Sequence, residues 1–331
     1  MQLMISLDRK IFDSTGGVAQ RMIEYGKNEA LEIIIPTRVY QKIALSDEVT
    51  VTGTGGNKAA QFFRLVLLGD RIIGKYHIKK ITTQDPFFTG LAGWVLAIMS
   101  RAELEVQVHG DFYGSEYYKK GSAKERIQYH LGLFVIKRAS RVRVVGERIK
   151  QSMRVMGVPE HTLTVAPLIM DGSIIKDHIP RNDAKKKYPG ADAIFLFLGR
   201  LEPVKNVSWL IDVWAQVAVL KPGYRLLIVG DGSQKKMLMQ KVADLVLERH
   251  VFFEAWTDDP IGYIKTVDCL LSPSRSEGYS SVIREAECAG TPIIMSAVGS
   301  AGYETKSGDT IRIISTDRKD AWIDAIANFV L

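Results

Sequence analysis

Arg200 and Lys205 lie in Gly199-Arg200-Leu201-Glu202-Pro203-Val204-Lys205, directly after the apolar run Ala193-Ile194-Phe195-Leu196-Phe197-Leu198. A planar guanidinium fork and a point-charge ammonium at one strand end suit a diphosphate. A departing nucleoside diphosphate gains negative charge, so fixed cations there would stabilise the transition state. A solvated basic loop has the same composition. Gly230-Asp231-Gly232 ends the next strand-like run. Small residues there let a ligand approach the backbone, although many strand-to-helix turns contain glycine. The third feature is Ser276-Glu277-Gly278-Tyr279-Ser280-Ser281-Val282-Ile283-Arg284-Glu285-Ala286. Glu277 falls in a loop and Glu285 on the helix that follows. Ser280 and Ser281 are candidate N-caps, and the free amides of a helix start hold phosphate. A carboxylate on each side of that start suits vicinal hydroxyls, one pair on a ribose and one on a hexose.

The elements that must position these residues are short β-rich runs alternating with helical patterns. That alternation predicts an α/β chain with parallel sheets covered by helices on both faces. Five consecutive apolar residues from Ile194 point to a strand buried on both sides. In the first half, strands are expected at residues 31–35, 49–52, 78–83, 105–111, 141–145 and 163–166, with helices near 57–68, 91–101 and 123–139. Residues 167–178 read as a connection, which gives two Rossmann-like, doubly wound domains, 1–168 and 169–331. Such sheets bind ligands outside the carboxyl ends of their strands, and two units facing each other would line one cleft.

Composition narrows the class. Of 331 residues, 46% are hydrophobic and 24% charged, which is globular rather than disordered. The net charge of +7 suits a phosphate-bearing partner or an anionic surface. The basic residues do not interleave with aromatics as a nucleic-acid stacking platform would. Cys269 and Cys288 make neither a disulfide framework nor a metal spacing, and a reducing cytoplasm fits them. The first ten residues lack a signal-peptide pattern. The longest apolar stretch, about residues 90–99, is too short to span a bilayer.

With Ala289-Gly290-Thr291-Pro292 after them, these motifs resemble the C-terminal domain of the family-4 retaining glycosyltransferases of the GT-B fold. The resemblance is strong over residues 194–302. It implies that Arg200 and Lys205 bind the donor diphosphate, that Glu277 contacts the donor sugar and that Glu285 binds the ribose. Gly199, Gly230, Gly278, Tyr279, Ser280 and Ser281 then belong to the donor site. The first half is similar too. Ser14-Thr15-Gly16-Gly17 holds the place of the family's glycine-rich loop, and Gln107-Val108-His109-Gly110-Asp111 matches a strand end whose histidine meets the donor sugar. Residues 82–86 read as another cleft-facing loop. The family's Glu-Gly-Phe-Gly becomes Glu277-Gly278-Tyr279-Ser280, and Glu254-Ala255-Trp256 stands where glycine is common. Family members continue past this chain's last residue with a helix that crosses back onto the first domain, so a C-terminally truncated second domain is expected.

The implied reaction moves a hexose from a nucleotide sugar to a glycan or lipid-linked acceptor with retention. Without a carboxylate nucleophile on the cleft side (Asp111 qualifies by position alone), the expectation is front-face transfer, with Arg200 and Lys205 replacing a metal and no cofactor beyond the substrate. The helix at 121–139 mixes Lys124, Arg126, Lys137 and Arg138 with apolar residues. It suits peripheral contact with an anionic membrane, at the inner face of the cytoplasmic membrane; a surface helix docked on a core has the same pattern. A nucleotide-sugar epimerase of the same fold and a non-catalytic nucleotide-sugar-binding protein stay open beside the transferase.

Overall fold

The computed structural model describes residues 1–114, 116–119, 121–167 and 172–329. Contacts divide the chain into unit 1 (Met1–Val145 and Ile149–Ala166) and unit 2 (Gly146–Arg148 and Pro167–Leu331). The expected boundary at 168/169 falls outside the described residues.

Unit 1 holds strands β1 (Gln2–Ile5), β2 (Leu31–Ile35), β3 (Tyr40–Ala44), β4 (Val49–Thr54), β5 (Lys80–Thr83), β6 (Glu103–Val108), β7 (Arg141–Val144) and β8 (Leu163–Val165). Its helices are α1 (Gly17–Asn28), α2 (Lys58–Tyr76), α3 (Phe88–Ser100), α4 (Glu116–Lys119), α5 (Ala123–Ile136) and, from Ile149 onward, α6 (Glu147–Val155), whose first two residues group with unit 2. The sheet order is β3-β4-β2-β1-β5-β6-β7-β8. Every pairing is parallel except the β3–β4 hairpin. Periodicity missed β3 because it is an edge strand with no buried residue. It missed β1, a four-residue strand at the very start of the chain, although Leu3, Met4 and Ile5 are buried.

Unit 2 holds α7 (Gly172–Asp177), α8 (Ala184–Lys187), β9 (Ala193–Leu198), α9 (Val207–Leu220), β10 (Tyr224–Val229), α10 (Lys235–Asp244), β11 (Val251–Glu254), α11 (Pro260–Thr266), β12 (Cys269–Ser272), α12 (Ser281–Ala289), β13 (Ile293–Met295), β14 (Ile311–Ile313) and α13 (Lys319–Ala327). The supposed connection thus contains α7, and residues 168–171 lie outside those described. The parallel order is β11-β10-β9-β12-β13-β14. Its unbroken apolar strands are explained by two cores. Phe195, Phe197, Leu226 and Ile228 enter one with Trp214 and Trp322; Ile194, Leu196, Leu227 and Val229 enter the other with Tyr263 and Ile283. With helices on both faces, neither side of the strand is free for polar residues.

The chain runs from β9 outward to β10 and β11 and then returns to the other side of β9 as β12. That reversal is a topological switch point, the place where open α/β sheets leave a crevice at their carboxyl edge. Unit 1 has its own, between β1 and β5.

Candidate active site

A cavity of about 270 Å³ opens at the unit 2 switch point. Its wall includes Gly199, Arg200 and Lys205 after β9, Ser274 and Glu277 after β12, and Tyr279, Ser280 and Ser281 leading into α12. The two cations and the first glutamate of the sequence reading are therefore neighbours. Lys205 Nζ pairs with Glu277 Oε1, and Ser274 Oγ donates to the same oxygen at 2.7 Å. Arg200 is exposed, and its guanidinium has no hydrogen bond or ion pair among the described residues.

Asn206 holds the two loops together. It adopts a left-handed backbone (φ 60°) at the start of α9 and is buried. Its Nδ2 donates to Pro273 O at 3.2 Å and its Oδ1 accepts from Arg275 Nε at 3.0 Å. Arg275 N donates to Val204 O at 2.8 Å. Asparagine tolerates this conformation better than other side-chain-bearing residues because its short amide bonds locally. Here the amide reaches across to the β12 loop instead.

Gly230 has a packing role in the structure. It is not part of the cavity wall; a Cβ there would sit 2.0 Å from Gly199 O, and one on Gly232 would sit 2.5 Å from Leu201 O. The glycines let the turn after β10 lie on the turn after β9, which is a packing requirement. Ser280 occupies the N-cap position of α12 with extended backbone, but its side chain makes no capping bond. Gly278 is half-buried beside the cavity, and its carbonyl packs against Gly299.

Glu285 lies one turn beyond Ser281, so the two share a face of α12. It does not line the cavity itself. Burial without a charged partner raises its pKa above the ordinary 4.5.

Gly16, Gly17 and His109 belong to unit 1. Gly16 is the N-cap of α1, which Gly17 begins, after the β1 strand end. His109 follows β6, two strands from β1 on the same carboxyl edge. Its Nε2 lies 3.2 Å from Gln107 Oε1. Crowding by protein around the ring, with the charge of Arg143, holds its pKa below 6.5.

Trp256 is the wall residue that sequence reasoning noticed only as a departure from family pattern. It is 64% exposed and lines the same cavity. No sequence signal marked it, since a single surface apolar residue is ordinary and only the fold brings this one to the cavity. Glu254 beside it is consumed structurally. Lys187 Nζ (3.1 Å), Tyr188 Oη (3.1 Å) and Tyr263 Oη (3.1 Å) all bond its carboxylate, tying α8 and α11 to the end of β11.

Two doubly wound units, each with a switch point at its carboxyl edge, define the GT-B fold class. Solved structures agree. HepE of Anabaena in complex with UDP-glucose is 18% identical with a TM-score of 0.75, over 98% of this chain and 88% of that one. Sucrose-phosphate synthase of Thermosynechococcus elongatus is 19% identical with a TM-score of 0.79, over the same shares. Residues 178–331 match the family Glycosyl transferases group 1. Among curated relatives, the D-inositol 3-phosphate glycosyltransferase of Mycobacteroides abscessus is 29% identical over 147 residues, 42% of this chain and 32% of that protein. The lipopolysaccharide core biosynthesis glycosyltransferase LpsE of Rhizobium meliloti is 25% identical over 147 residues, 44% and 42% respectively. The matched stretches thus span a third to two fifths of these relatives.

Proposed function

We propose that the chain is a nucleotide-sugar-dependent glycosyltransferase that moves a hexosyl group to a glycan or lipid-linked acceptor with retention of configuration. The observation that carries this reading is the cavity wall in which Arg200, Lys205, Glu277 and the N-terminus of α12 converge. Cations and free helix amides suit a diphosphate, and a carboxylate beside them suits sugar hydroxyls. The glycosyltransferases among its relatives support sugar transfer, and the UDP-glucose bound to HepE supports a nucleotide-sugar donor.

On this reading the diphosphate takes Lys205 from Glu277, and Glu277 turns to the sugar hydroxyls. Glu285 accepts the ribose hydroxyls and Trp256 offers its face to the base. The bond from C1 to the phosphate oxygen breaks as the acceptor oxygen bonds C1 on the same face. The diphosphate leaves with the electron pair and takes the acceptor proton. Arg200 and Lys205 stabilise the charge it gains, without a metal. The enzyme works in the cytoplasm, in peripheral contact with the inner face of an anionic membrane.

The test is incubation with UDP-, GDP- and ADP-sugars and with glycan and lipid-linked acceptors. Nucleoside diphosphate release should depend on acceptor, and NMR should find the donor's anomeric configuration in the product. Release of free sugar regardless of acceptor, or an inverted product, would overturn the reading.

A further inference from the structure

Helix α3 reads Phe88-Thr89-Gly90-Leu91-Ala92-Gly93-Trp94-Val95-Leu96-Ala97-Ile98-Met99-Ser100 and carries no charge. Its buried stripe is Thr89, Ala92, Gly93 and Leu96, spaced by three and four residues. A Cβ on Gly93 would lie 2.4 Å from Thr83 Cγ2, so this stripe lies hard against the sheet. The opposite stripe is Leu91, Trp94, Val95 and Ile98, and it is equally apolar. Leu91, Trp94 and Val95 are only half-buried, and Ile98 is 60% exposed. A helix apolar all round belongs in an interior, yet this one faces outward.

Its flanking helices extend the same surface. α3 packs against α2 on one side and α5 on the other. α2 presents Phe63 and Leu67 outward, 70% and 60% exposed, and α5 presents Ile127, 66% exposed. Cations border this strip: Arg64 and Arg71 on α2, Arg101 after α3, Arg126 on α5 and Arg138 after it, all exposed. Arg138 stacks over Phe134, whose ring meets Trp94. The acids on these three helices are Asp70 and Glu125, and Glu125 is engaged in the capping box of α5.

We infer that the outer faces of α2, α3 and α5 form a docking surface for an anionic lipid bilayer, with α3 at its apolar centre. It extends the membrane contact proposed above and rests on that reading. An apolar strip bordered by arginines matches the acyl boundary and its anionic headgroups. A second copy is disfavoured because it would bring one basic border against another.

The experiment is co-sedimentation with phosphatidylcholine vesicles, with and without phosphatidylglycerol, alongside nucleoside diphosphate binding on the same preparations. Anionic vesicles should retain the protein at least about tenfold better than neutral ones, since each basic residue near such a surface contributes severalfold. Added salt should weaken the retention. Ile98→Asp with Ile127→Asp should lower it about tenfold or more while leaving nucleotide binding unchanged. Val219→Asp, at a 78% exposed position of unit 2, should have no effect on either. Equal retention on both vesicle types, or an unaffected double variant, overturns the surface. So does a dimer in sedimentation velocity that the double variant dissociates. If the wild type binds vesicles but no nucleoside diphosphate, the transferase reading fails and the surface stands.

Discussion

Lys205 and Glu277, 72 positions apart, form an ion pair in the wall of the unit 2 cavity, with both side chains largely shielded from water. Neither loop would put its charge there alone. The pair keeps each group compensated until a ligand with its own anion and hydroxyls arrives, since an unpaired buried charge is expensive. Lys205→Ala should therefore cut kcat about ten- to a hundredfold, the worth of a charged hydrogen bond, and lower stability by leaving Glu277 unpaired without changing the fold. Steady-state kinetics and circular dichroism check this; wild-type turnover removes Lys205 from the chemistry.

Asn206 is expected to matter through position. Asn206→Gly keeps the left-handed backbone and loses the bonds to Pro273 and Arg275. It should cost about 1–3 kcal/mol of stability. It should also reduce turnover, because Lys205 is no longer held against Glu277. Asn206→Ala should be less stable still, since it adds strain at φ 60°. Denaturant unfolding ranks the three, and an order with alanine above glycine refutes the backbone argument.

Gly230→Ala separates a packing glycine from a ligand-approach glycine. The added methyl meets Gly199 O, and backbone on both sides leaves little room to yield. The expected loss is about 3 kcal/mol or more, seen as a lowered melting temperature without ligand. A fully stable variant that only binds donor weakly would favour the ligand role.

Trp256→Ala should weaken nucleoside diphosphate binding about tenfold or more, as loss of base stacking does. Inorganic pyrophosphate should bind as before, because it carries no base. Calorimetry with both ligands reads the difference, and equal losses for both would mean the indole acts on the phosphate side.

Glu285 sets a pH signature. Its raised pKa means the folded chain binds that proton more tightly than the unfolded chain. Its contribution is favourable below about 4.5 and is lost as pH rises through the higher folded value. Glu285→Gln should raise the melting temperature at pH 7, with the gap closing below about pH 4.5. The same variant should bind nucleotide more weakly. Unchanged thermal stability at pH 7 would show that burial does not strain this carboxylate.

The sequence alone determined the class of fold and most of the residue inventory. Apolar runs alternating with helical patterns report local burial, which is why the continuous strand at β9 was legible as two-faced. The motif bearing Glu277 and Glu285 was legible as a loop leading into a helix, and Arg200 and Lys205 as a strand-end pair. The tertiary structure decided what touches what. The sheet sets β12 beside β9 although two strands intervene in the chain, so the partnership of Lys205 with Glu277 through Asn206 is non-local and no spacing encodes it. The same convergence brings Trp256 to the cavity, spends Glu254 on a tyrosine-lysine cluster and makes Gly230 a packing residue. Nor could periodicity distinguish the two apolar faces of α3, because hydrophobicity records what a residue would bury and only the sheet decides which side it has.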